Sequence, residues 1–244
     1  MMVTTTGETT TRDRVLRAAA DLLTQGGRAA VSTRAVSAAA GVQPPTLYRL
    51  FGDMDHLLDE VASYGFEQYL ASKHAIGETN DPLADLRRGW DVHVEFGLSR
   101  PAFYALMYGE ARTGRESRAA AEAKAILYRM IVRLAGAGRL RMSVERAARL
   151  VAATGVGVVF SLLATPSAQR DLELSAIARE NVLQAIATDL PARPASETGV
   201  AGQAVALREM LNDEGFTVLT DAERALLAEW LDRVADGRHT PHHA

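Results

Sequence analysis

Apolar residues in this chain recur every three or four positions almost from end to end, and no alternating pattern is sustained anywhere. Spacing of three to four gathers side chains on one face of a helix, whereas a half-buried strand needs a period of two. The pattern therefore predicts an all-α chain. Helices are expected at about 12–25, stopped by Gly26-Gly27, and at about 33–40, capped by Ser32 or Thr33 and ended by Gly41. Others follow at 44–50, 54–73, 81–98, from 101, 116–137, 143–164 and 172–190. After a linker at 191–198 (PARPASET) come two more, at 200–212 and 221–235, the last opened by Thr220 and Glu223 in capping-box spacing.

At 244 residues the chain is long enough for one or two domains with a substantial core. The absence of cysteine rules out a disulfide scaffold and cysteine-liganded zinc, and suits a reducing, cytoplasmic setting. The first residues, MMVTTTGETTT, lack the basic and apolar regions of a signal peptide and read as a disordered arm over 1–11. Residues 150–169 carry no charge and would be long enough to span a bilayer, but Thr154, Ser161, Thr165, Pro166, Ser167 and Gln169 interrupt them. They are read as a helix buried between protein surfaces, with no membrane partner. The net charge of −3 hides an asymmetry: between Arg12 and Gly52 six arginines face only Asp13 and Asp21.

The stretch AGVQPPTLYRLF, Ala40–Phe51, lies in this cationic segment. Proline is tolerated in a helix only in its first turn, so Pro44-Pro45 starts a short helix after the turn Gly41-Val42-Gln43. Two helices joined in this way form a helix-turn-helix, whose second helix lies in the major groove. Thr33 and Arg34 open the first helix, where backbone donors and a guanidinium can hold phosphate. Thr46, Tyr48 and Arg49 project from the second and suit phosphate and base-edge contacts, while Leu47 and Phe51 fall on the opposite side. Gln43 is placed to reach adenine or phosphate, and Pro44 and Pro45 present an apolar surface to a thymine methyl.

The string Thr33-Arg34-x-Val36…Ala39-Ala40-Gly41-Val42…Pro45-Thr46-Leu47-Tyr48-Arg49-x-Phe51, preceded by Arg12, Leu23 and Gly26, closely resembles the N-terminal domain of TetR-family transcriptional regulators. The resemblance covers about 12–60; beyond that only the all-α layout and the length match. At two places the chain departs from the common pattern. Leu50 stands where many members have histidine, and Met54, between Asp53 and Asp55, stands where many have lysine. Both losses imply fewer phosphate contacts and weaker or less salt-sensitive binding.

The resemblance implies a DNA-binding domain over 12–53 and an effector-binding and dimerisation domain over 54–190, with 54–73 as connecting helix. A helical pair at 199–236 and a frayed tail at 237–244 complete the layout. Partners are then a double-stranded DNA operator, a second copy of the chain, and a small apolar or aromatic effector. For the effector the sequence offers Trp90, His93, Phe96, Phe103, Tyr104, Met107, Tyr108 and Glu110, an aromatic cluster with two polar anchors. Aromatic stripes of this kind are also what a plain core looks like. For dimerisation, Ala148, Val151, Ala152, Gly155 and Val158 on one helix and Leu174, Ala178, Val182 and Ile186 on the next would let helices approach closely, a four-helix arrangement that the family uses.

Two other functions were weighed. A constitutive DNA-binding dimer without an effector shares every feature of the first fifty residues. An enzyme is disfavoured: His56, His74 and His93 are isolated, His239, His242 and His243 lie in the tail, and no HExxH, GxSxG or phosphate loop occurs. No cofactor and no metal are expected.

Overall fold

The structure, a computed structural model, describes residues 10–72, 78–109, 117–188, 200–211 and 219–237. The expected arm before Thr10, the linker 191–198, the tail from 238, and Glu110 and His74 lie outside the described residues. Among the described residues there are eleven α-helices and no strand: α1 Thr11–Ala30, α2 Thr33–Ala40, α3 Pro44–Phe51, α4 Met54–Ser72, α5 Pro82–Ser99, α6 Pro101–Tyr108, α7 Arg118–Gly136, α8 Val144–Leu163, α9 Glu173–Ile186, α10 Val200–Met210 and α11 Asp221–Ala235. The helix starts follow local chemistry. Thr10 and Asp13 form a capping box on α1, so the chain enters its first helix where an arm had been expected to run on through residue 11. Ser32 caps α2, and Thr220 with Glu223 caps α11. The helix α1 leaves helical geometry at Gly27, where the Gly-Gly pair had marked its end.

The chain divides into two compact units, residues 1–75 with 96–122 and residues 76–95 with 123–244. The first is built on Val15, Ala19 and Leu23 of α1, Val36 of α2, Leu47 and Phe51 of α3, and Leu57 and Val61 of α4, all buried. Arg12 fastens these helices together. Its guanidinium donates to the Leu50 carbonyl at 2.9 Å, pairs with Glu60 and lies 4.6 Å from the centre of the Phe51 ring. In the same unit a Cβ on Gly65 would fall 2.1 Å from the Phe103 ring, so α4 and α6 approach at a distance that only glycine permits.

The second unit is held at the start of α5 by Asp85, whose side chain is 3 % exposed. Its carboxylate accepts from the Thr79 hydroxyl at 2.6 Å and backbone N–H at 3.0 Å and pairs with Arg88 and Arg133. One feature had no signature in the sequence: an isolated antiparallel bridge joins Leu140 to Ala187, with Arg141 N–H donating to Ile186 and Thr188 N–H to Arg139. The helix α8 is long and apolar enough to cross a membrane by length and composition, with mean hydropathy 1.5. Eight of its residues, from Val144 to Leu162, are buried in the protein.

Candidate nucleic-acid interface

The joint between α2 and α3 depends on Gly41, which has φ 65° and ψ 40°, the left-handed conformation that ends a helix. Its N–H and that of Val42 bond back to Ala38 and Ser37, turning the chain within three residues. Gln43 then occupies the cap position and Pro44-Pro45 the first two helical positions of α3, as the sequence predicts. The short helix is sharply two-sided. Leu47 is fully buried and Phe51 5 % exposed, while Tyr48 is 46 % exposed and Pro44, Pro45 and Arg49 face solvent.

The predicted contact residues come together on one surface. Gln43 and Arg34 are exposed, and Thr33 and Thr46 are half-buried beside them. The Tyr48 hydroxyl lies 3.0 Å from the Thr33 hydroxyl, a bond between the two helices across fifteen residues. One of these hydroxyls donates to the other, so each keeps capacity for a further oxygen partner. The side chains of Arg34 and Arg49 have no partner among the described residues.

The cationic excess is less uniform than the sequence count implies. Arg12 is committed to Leu50 and Glu60, and Arg28 donates to the Val31 carbonyl at 3.4 Å. Arg14 and Arg17 border an open groove of about 440 Å³, with Asp21, Gln25 and the end of α2 on its other sides. Arg34 and Arg49 are left on the helix-turn-helix itself. At the start of α4 Asp53 accepts from the His56 N–H at 2.8 Å and pairs with its imidazole at 3.0 Å.

The eight residues proposed for an effector do not form one cluster. Phe96 packs edge-on against Phe66 with centroids 5.5 Å apart, lies 5.0 Å from Tyr69 and 6.1 Å from Tyr104, and Tyr104 lies 4.7 Å from Tyr108. With buried Phe103 and Met107 these rings belong to the first unit. Trp90 and His93 belong to the second. There the Trp90 indole N–H donates to the buried Ser175 hydroxyl at 3.0 Å, and the His93 ring lies against Gly155 beside Trp90. His93 is half-buried overall, but its ring is enclosed. Burial lowers its pKa to about 4 against the opposing bond to the Gly155 backbone, so it is neutral at neutral pH. The aromatic residues thus serve as core in both units, the alternative that the sequence had left open. Phe66 and Tyr69 were not selected from the sequence, although their spacing on α4 placed them on its apolar side.

The residues proposed for dimerisation need correction. Ala148, Val151, Gly155, Val158, Val182 and Ile186 are buried within the protomer, Ala152 and Ala178 are half-buried, and only Leu174 is exposed. The small-residue face of α8 is used internally, where Gly155 admits the Trp90 and His93 rings. The outward face of α8 carries Arg146, Leu150, Ala153, Gly157 and Ser161 instead, and α9 exposes Leu174 and Ile177. Among the described residues no group of three or more histidine, cysteine, aspartate or glutamate side chains could hold a metal ion.

Residues 15–61 match the family model for bacterial regulatory proteins of the tetR family. No curated protein matches the chain. Solved structures share its fold. A TetR-family transcription regulator from Marinobacter aquaeolei VT8 is 21 % identical with TM-score 0.53, covering 72 % of this chain and 95 % of its own. The multidrug-binding protein EbrR, complexed with imidazole, is 23 % identical with TM-score 0.53, over 75 % of this chain and 98 % of its own. A TetR variant from Acinetobacter baumannii AYE in complex with minocycline is 24 % identical with TM-score 0.51, over 69 % and 89 %. The fold these proteins share leaves about a quarter of the present chain without a counterpart.

Proposed function

The chain carries the N-terminal domain of the TetR family of bacterial regulators, and from that premise we propose that it is a ligand-responsive transcriptional regulator, a repressor that binds a pseudo-palindromic operator as a homodimer. The observation that carries this reading is the two-sided α3, with Leu47 and Phe51 anchored inward and Tyr48 and Arg49 presented outward from a proline-started first turn. Arg34, Arg49, Thr33, Thr46, Tyr48 and Gln43 supply cationic and hydroxyl groups of the kind that bind phosphate and base edges. Pro44 and Pro45 offer apolar contact.

The effector is a small apolar or aromatic molecule, as suits the rings between α4 and α6. In the first unit α4 touches α1 and α3 on one side and the aromatic cluster on the other. A ligand that parts those rings moves α4, and with it the recognition helix. The coupling needed is the usual 1–3 kcal/mol, about five- to 150-fold in operator affinity. The family resemblance favours release of DNA over its promotion. A cytoplasmic location and the absence of catalytic activity go with this reading.

The test is operator binding by the full-length protein, with the operator first selected from a random duplex pool. Tyr48→Ala and Arg49→Ala are expected to keep wild-type circular dichroism and thermal stability and to bind at least about tenfold more weakly, the loss of one good contact. Wild-type binding by both variants would show that α3 does not read DNA. With an effector found by thermal-shift screening, Phe103→Ala is expected to retain operator binding and lose the response.

A further inference from the structure

The C-terminal pair α10 and α11 buries little of itself. Of fifteen residues in α11 only Ala235 is buried, and α10 buries only Ala204 and Val205. Helices in proteins owe most of their stability to the face they pack, so such a pair is poorly supported by its own contacts. On α11, Leu226, Trp230 and Val234 recur every four positions and are 44 %, 51 % and 46 % exposed, an apolar stripe along one side. Among the described residues every large exposed hydrophobic side chain except Tyr48 lies between 150 and 234. Six of them are on α10 and α11, and the others are Leu150, Leu172, Leu174 and Ile177.

The stripe adjoins the outward face of α8. Asp236, just past α11, accepts from the Ser143 N–H at 3.1 Å and hydroxyl at 2.8 Å, at the entrance to α8. Arg146, the first residue of the outward α8 stripe, donates to the Asp236 carbonyl at 3.0 Å. The end of α11 is thereby fixed at the first turn of a surface that continues through Leu150, Ala153, Gly157 and Ser161. That surface is small for the task assigned to it: α8 and α9 expose six residues each, whereas a stable interface engages about 20–30 a side.

The geometry points to a second copy of this chain as the cover for the α11 stripe, so that α10 and α11 extend the homodimer interface begun by α8 and α9. This rests on the homodimer proposed above. It assigns Leu226, Trp230 and Val234 to the contact between protomers, with Trp230 as its aromatic anchor.

The chain has two tryptophans, and Trp90 is buried, so Trp90→Phe isolates the signal of Trp230. Its emission maximum and acrylamide quenching are read through a dilution series alongside sedimentation velocity. Trp230 is expected to be shielded in the dimer and to become quenchable, with red-shifted emission, at the concentration where the sedimentation coefficient falls. The double variant Leu226→Glu, Val234→Glu should raise the dimer dissociation constant about tenfold or more, with helical content unchanged. Because the chain has no cysteine, Val234→Cys carrying an environment-sensitive dye repeats the measurement with Trp90 intact.

A freely quenchable Trp230 in a protein that sediments as a dimer overturns the inference and leaves the homodimer standing. So does an unchanged dissociation constant in the double variant when Ile177→Glu on α9 weakens the dimer. Shielding of Trp230 in a monomer means that its own chain covers the stripe, which overturns it as well. A chain that is monomeric at every concentration, with Trp230 exposed, removes the homodimer and this inference together.

Discussion

Single residues decide where this chain has no freedom to vary. Gly65 is one, since a Cβ there would collide with the buried Phe103 ring. Overpacking of this kind costs about 1–3 kcal/mol, so Gly65→Ala should lower the unfolding free energy by that amount. Gly65→Ala with Phe103→Leu should recover much of the loss; failure of the pair to recover would place the clash elsewhere. Asp85 and His93 set the response to acid. Burial raises the Asp85 pKa, but hydrogen bonds from Thr79, Arg133 and Arg88 outweigh it and hold the carboxyl well below the carboxylate range. Its contribution to stability is complete above the unfolded value of about 3.9 and is lost as pH falls toward the folded one. His93 is depressed to about 4 against an unfolded value of about 6.5. The unfolded chain therefore binds the extra proton between those values, and stability falls as pH drops from about 6.5 to 4. Urea denaturation at stepped pH should show a decline across that window that His93→Gln flattens, and a further decline below it that Asp85→Asn flattens. An unchanged slope in His93→Gln would mean that the ring is hydrated after all.

At the scale of elements, helix positions were legible because caps and breakers are local. Ser32, Gly41, Pro44, Pro82, Pro101 and the Thr220–Glu223 box stand at ends that the structure also has. Which way a helix faces was less so. The periodicity of α8 marks its small-residue side, but a helix apolar nearly all round gives no sign of which side meets its own chain. The aromatic run failed as a single cluster for a geometric reason: Trp90 and Phe96 are six positions apart and so about 120° apart around α5. The bridge from Leu140 to Ala187 joins residues distant in sequence and has no local signal. The proline pair allows a test at this scale. Pro44 and Pro45 restrict the first turn of α3, so replacing both with glycine should cost about 0.4–1 kcal/mol per position through added backbone freedom. Thermal unfolding reads the stability part and operator titration the binding part; a variant equal to wild type in both would leave the pair as a turn device only.

For the whole molecule, the proposed dimer doubles every contact that one protomer makes with DNA, and salt dependence counts those contacts. The start of α4 would ordinarily offer unpaired N–H groups and the positive end of the helix dipole to a phosphate. Here Asp53 is bonded to the His56 N–H and imidazole, which places a carboxylate at that end. Asp55 lies in the same first turn, and Met54 occupies the position where the family pattern often has lysine. This end of α4 is therefore disposed to repel a phosphate that in many relatives a lysine would attract. Met54→Lys restores the cation without touching the core, because Met54 is only half-buried. Each phosphate neutralised steepens the dependence of log affinity on log salt by about 0.9, and a dimer carries two such lysines, so the slope should become steeper by about 1.8. Affinity should rise most at low salt and converge on wild type as salt increases. Operator titrations from about 50 to 200 mM salt measure the slope directly, and one unchanged by Met54→Lys would mean that α4 stands away from the DNA backbone in the complex.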